Sequence, residues 1–158
     1  MYFILFKIVL SILNFIDLYN GRATKIYKIQ KDSDHAYIKG KAACAIDMHG
    51  RRYVFMNPKK HTSLKDAIIS AFHEERHLQQ EFRYAGYIHM YWVVFSKRGE
   101  LQYLYNPEEL DVRRYSNSFG FKSDWFIFEK MNALIGIDDL KVVALGKRIE
   151  KEESIPLD

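Results

Sequence analysis

The residues in this chain best suited to chemistry are His73-Glu74-Glu75-Arg76-His77, an H-E-x-x-H pattern. On a helix, positions i and i+4 lie one above the other on one face, so two imidazoles there can point at a single ion. Neutral imidazole is a good zinc ligand. A carboxylate one residue on, about 100° round the helix, sits beside the ion's open position and can take a proton from metal-bound water. The pattern assigns His73 and His77 as zinc ligands and Glu74 as general base. It needs a helix, a third ligand and a core to hold them.

The helix is legible. Ser63-Leu64-Lys65-Asp66 has the form of a capping box, with Thr62 as an alternative cap, and helix formers continue to about Ala85, where Gly86 can stop them. Counted at about 100° per residue from His73, Leu64, Ala67, Ala71, Leu78 and Phe82 fall within one arc roughly opposite the histidines. The expectation is a helix with one face on the core and the motif on a separate stripe, flanked by Ile69, Arg76 and Gln80.

Catalytic zinc sites hold three protein ligands and keep water in the fourth position. The next helix, opened by Asn106 as N-cap and Pro107 at the first helical position, offers Glu108, Glu109 and Asp111. Glu109 would occupy the third helical position, where a glutamate can instead complete a capping box.

Two stretches, His73-Glu74-x-Arg76-His77-x-x-Gln80 and, further on, Pro107-x-Glu109-x-Asp111-Val112-x-x-Tyr115-Ser116, resemble the compact zincin metallopeptidases often encoded by phages and mobile elements. These are gluzincin-like in pattern and include repressor-cleaving peptidases. The likeness covers about residues 60 to 120. It implies a small zincin-like fold and a hydrolase that uses zinc to cleave a peptide or protein substrate. It places the third ligand at Glu109, with Asp111 and Glu108 as runners-up. Arg76, Gln80, Asp111 and Tyr115 become supporting or oxyanion-stabilising residues, with Tyr84 and His89 as further oxyanion candidates. In such enzymes an edge strand before the motif helix aligns the substrate, and Arg52 to Met56 stands in that place. The chain departs from the pattern at Glu75, where an apolar residue is usual and a buried carboxylate would need a partner such as arginine. It departs again at Arg113, where an acidic or amide residue often supports the site. The departures keep a second reading open, an inactive zincin-like scaffold that binds a partner protein. No third histidine follows at metzincin spacing.

The remaining elements read more simply. With 158 residues, 48% hydrophobic and 15% aromatic, the chain suits one globular domain. The net charge of +4 comes with no recognised nucleic-acid motif, so no specific nucleic acid is expected. The single cysteine, Cys44, excludes an internal disulfide and reads as a small buried side chain. Residues 1–20 form an apolar helix on which Lys7, Ser11, Asn14 and Asp17 recur as a narrow polar stripe. It packs on the domain's own core or attaches to a membrane through residues 1–19, although Tyr2 to Val9 also suits a strand. A short strand near Thr24 to Ile29 precedes a hairpin of Ala36 to Met48 and Arg52 to Met56, turning at His49-Gly50-Arg51. His49 and His61 read as solvated loop residues. A second hairpin, or an aromatic loop, spans His89 to Tyr105. Helices follow from Pro107 to about Phe119 and from Trp125 to Ile135, then a short helix or strand over 138–150. The fold class is therefore α+β, with the active-site helix beside a short sheet and further helices C-terminal. Residues 21–150 form the main domain and 151–158 a flexible tail. A cytoplasmic protein is expected, with membrane association as the alternative, and the sequence leaves the oligomeric state open.

Overall fold

Tyr2–Tyr19 contains neither proline nor glycine and folds as one helix, α1. The computed structural model describes residues 1–35, 38–48, 51–84, 104–135 and 137–153, with backbone alone at 47 and 48. Helix α1 buries Phe6, Leu10, Asn14 and Asp17. The expected polar stripe is therefore split: Lys7 and Ser11 face solvent, while Asn14 and Asp17 face inward. The reason is hydrogen bonding. Asn14 donates to the Thr24 carbonyl at 3.1 Å and accepts from the Ile26 N–H at 3.3 Å. Two buried polar groups are satisfied, and the segment after the helix is tied down.

Three strands follow, β1 (Lys28–Lys31), β2 (Ala43–Met48) and β3 (Arg51–Met56). Their order is β1-β3-β2, with β1 parallel to β3 and β2 antiparallel to it. The β2–β3 pair is the expected hairpin, and its turn residues 49–50 lie outside the described residues. Strand β1 starts later than the sequence suggests, at Lys28. Val54, Phe55 and Met56 of the central strand are all buried, as expected for a strand with neighbours on both sides. Because β3 is central, the expectation that Arg52 to Met56 forms a substrate-aligning edge does not hold. Among the described residues the edges of the sheet are β1 and β2.

Asn57 then caps a single 3-10 turn at Pro58–Lys60 by accepting from the Lys59 N–H. Helix α2 (Leu64–Arg83) opens with the expected box: Ser63 Oγ accepts from the Asp66 N–H, and the Asp66 carboxylate accepts from Ser63 N–H and from the N–H and hydroxyl of Thr62. Ala67, Ala71 and Leu78 join Phe6, Leu10, Ala23, Ile26, Val54 and Met56 in one apolar core. Leu64 and Phe82 lie on the same arc but near the helix ends, and both stay exposed.

The chain divides into two compact units, Met1–Arg83 and Tyr84–Asp158. Helix α1 belongs to the first unit. The second unit contains α3 (Pro107–Asn117), α4 (Phe126–Asn132) and α5 (Asp139–Glu153). Its core is Leu110, Ile127, Met131, Val142, Leu145 and Ile149. On α5 the buried residues recur at 142, 145, 146, 149 and 150, the period of a helix with one face inward. Residues 151–153, expected in the tail, complete that helix. The expected hairpin over 89–105 falls almost wholly outside the described residues, as do Gly86, His89 and Gly136. Among the described residues the architecture is α+β, with one helix before a three-stranded sheet, the motif helix beside that sheet, and three further helices C-terminal to it.

Candidate metal centre

Helix α2 places the histidine pair as the spacing demands. The Nε2 atoms of His73 and His77 lie 3.2 Å apart, with ring planes at 70°. Two nitrogens each about 2.0–2.1 Å from one ion at a tetrahedral angle would be about 3.3–3.4 Å apart, so the pair fits a zinc ion without a rotamer change. Gln80 Oε1 lies 3.0 Å from His77 Nδ1. A carbonyl oxygen only accepts, so Nδ1 carries the proton and Nε2 keeps its lone pair. Fixing the ring and tautomer in this way is the role of a residue behind a metal ligand. Gln80, expected as a supporting residue, makes that contact. Arg76, the other flanking residue, is buried and donates to Gln79 Oε1 at 2.8 Å.

Glu74 is buried on the same helix, at 3% exposure. Its negative charge reaches Cys44 on β2. Burial first, and the Glu74 charge second, push the Cys44 thiol up to about 11. Cys44 is therefore a protonated thiol at neutral pH, and it is half-buried where a buried side chain was expected. It also locates β2, an edge strand, near the candidate base.

Glu75, if buried, was expected to need a partner such as an arginine. It is fully buried, and its Oε1 accepts from Gln79 Nε2 at 2.7 Å. The same amide donates to Asp17 Oδ2 of α1 at 3.1 Å. One side-chain amide thus bridges two carboxylates, and Arg76 holds its oxygen. The sequence signal for this cluster was Asp17 within an apolar helix, but spacing alone could not name its partner.

His61, expected in solvent, is also buried. Its Nδ1 lies 2.8 Å from the Asn57 carbonyl and therefore donates, leaving Nε2 to accept from the Ser70 hydroxyl at 2.8 Å. With both nitrogens occupied it is a tether between the 3-10 turn and α2, one helical turn before His73.

In the second unit, Asn106 caps α3 as expected, with its Oδ1 accepting from the Glu108 N–H at 2.9 Å. Glu108, Glu109, Asp111 and Tyr115 are all buried on α3. Arg113 is buried too, donates to the Leu104 carbonyl at 2.6 Å and lies 3.9 Å from Glu150. Its role in this unit is to join α3 to α5. Tyr84, an oxyanion candidate, donates its hydroxyl to Glu129 at 2.8 Å and packs on Phe128 and Trp125. It is held by α4 instead. Compared with family models, curated proteins and solved structures, the chain matches none.

Proposed function

We propose that the chain is a zinc-dependent metallopeptidase, with His73, His77 and Glu109 as ligands and Glu74 as general base. The observation that carries this reading is the 3.2 Å separation of the two Nε2 atoms on a helix that also presents Glu74. Glu109, buried on α3 of the second unit, is the third ligand of this reading, because a catalytic zinc holds three protein ligands. When bound, the ion would supply a Lewis acid that brings a water's pKa down to about 7 and polarises a carbonyl.

The chain's own residues would do the rest. Glu74 accepts the nucleophile's proton and returns it to the leaving amine. Gln80 keeps His77 in its ligating tautomer. Among the described residues β2 is paired on one side only, and its other edge would offer backbone groups on which an extended peptide could align. It takes over the part the sequence reading had given to Arg52 to Met56.

Zinc content measured on protein purified without added metal tests this directly. One equivalent of zinc is expected, lost in His77→Ala and in Glu109→Ala but kept in Glu74→Gln. Cleavage of an unfolded protein substrate should be abolished in Glu74→Gln. Protein that contains no zinc would end the metal reading. Zinc retained alongside undiminished cleavage in Glu74→Gln would end the assigned mechanism.

A further inference from the structure

We infer that the outward face of α1 is a docking surface for an anionic membrane, with the helix lying flat on the lipid surface. Ile4, Ile8, Ile12 and Phe15 form a stripe at helical spacing, each between 51% and 70% exposed, and Ile16 and Tyr19 extend it. Of the exposed positions on this helix only Lys7 and Ser11 are polar, and they lie along one flank. A run of contiguous apolar side chains this large on a helix is a mark of an interaction surface.

The charge distribution selects the partner. Residues 1–31 carry Lys7, Arg22, Lys25, Lys28 and Lys31 against one acid, Asp17, giving 5 − 1 = +4. The whole chain has 24 − 20 = +4, so the other 127 residues sum to zero. All five cations are exposed, whereas Asp17 is buried. An exposed apolar stripe with Lys7 on its flank, followed in the chain by four exposed cations, has the composition of helices that lie at the headgroup boundary of anionic membranes. A second copy docked on the same stripe would instead bring two such sets of cations together.

Lying flat, rather than spanning, follows from the other face. The helix is long and apolar enough to cross a membrane, with a mean hydropathy of 1.8. Its inward side, however, is committed to its own unit. Phe6 and Leu10 are in the core, Asn14 bonds the backbone at Thr24 and Ile26, and Asp17 bonds Gln79 and Arg22. Insertion would strip those partners and place Asn14 and Asp17 in hydrocarbon, where unpaired polar groups are costly.

The test is co-sedimentation of the full chain with vesicles of phosphatidylcholine alone or mixed with phosphatidylserine. Binding is expected to the mixed vesicles and to fall as salt rises. The double variant Ile8→Gln, Phe15→Gln should weaken it by at least about tenfold, with an unchanged circular dichroism spectrum. Lys7→Gln with Lys25→Gln should weaken binding to the mixed vesicles and leave the neutral ones unaffected. Three results would overturn the inference: binding to neither vesicle, equal binding to both, or a lipid-free dimer that the Ile8/Phe15 variant dissolves. Resistance of the membrane-bound protein to alkaline extraction would show a span and overturn it as well. None of these outcomes depends on the metal site.

Discussion

Asp17 on α1 accepts a hydrogen bond of 3.1 Å from Gln79, which stands two residues beyond the metal-ligand candidate His77 on α2. That bond reaches across the interface on which the first unit is built. Burial raises the Asp17 carboxyl above its ordinary 3.8, and the Gln79 bond and the charges of Arg22 and Arg76 offset the burial only in part. A carboxyl with a raised native pKa binds its proton more tightly folded than unfolded. Its ionised form therefore detracts from stability at neutral pH, and that cost is relieved as the pH falls through the raised value. Asp17→Asn keeps an acceptor for Gln79 and loses an ion pair to Arg22, whose side chain is 56% exposed and contributes little. The variant should be more stable than the parent at neutral pH, with the gap closing as the pH approaches 3.8. Urea unfolding at a series of pH values measures this. A variant less stable at neutral pH would show that the carboxylate's partners outweigh its burial.

The His61 tether gives a second prediction. Removing the ring in His61→Ala breaks two buried hydrogen bonds and leaves the Ser70 hydroxyl without its partner, at a cost of about 2–4 kcal/mol. Ser70→Ala removes one bond and should cost about 1 kcal/mol. Denaturant midpoints check both. Because neither residue is a proposed ligand, Ser70→Ala should keep whatever zinc the parent holds. Loss of zinc in that variant would mean that His61 orients His73 through the helix.

How much of this was legible in the sequence depends on which residues satisfy which groups. The cap at Ser63 to Asp66, the i, i+4 histidines and the Asn106 cap are local, since each is decided within four residues, and the structure has all three. The status of Asp17 and His61 was not local. Each is a polar residue whose burial depends on a partner distant in the chain or on a turn geometry that periodicity does not encode. The hairpin was readable from its turn, but the place of β3 between two strands was not. Parallel pairing with β1 is a long-range choice that leaves no mark in β3 itself. The outward face of α1 was hidden for a related reason, because a helix this apolar shows no contrast to say which side is turned inward.

Gly146 on α5 supplies a prediction for the second unit. A Cβ added there would lie 2.9 Å from Tyr105 Cδ1, 3.1 Å from Tyr105 Cβ and 3.3 Å from Met131 Cε. Tyr105 has little room to yield, because it is buried and its hydroxyl donates to Glu150 at 2.6 Å. Alanine in a helix interior gains about 1 kcal/mol over glycine, while overpacking costs about 1–3 kcal/mol. The overlap should win, so Gly146→Ala should lower the thermal midpoint. A raised midpoint would mean that Tyr105 moves aside at little cost and that Gly146 is not a packing requirement.

Gln80 offers the sharpest separation of metal binding from folding. It is fully buried, and its Oε1 holds the Nδ1 proton of His77 at 3.0 Å. Gln80→Leu keeps the approximate volume and the helix propensity but removes the acceptor. His77 is then able to ligate only after its ring or tautomer is reset. Loss of such a supporting bond costs about 10–100-fold in metal affinity. Competition for zinc against a chromophoric chelator should show a loss of that size in Gln80→Leu, with the helical circular dichroism signal retained. His77→Ala should lose binding altogether. An affinity equal to the parent's would show that Gln80 does not orient the ligand, and that the 3.0 Å contact only fills space on α2.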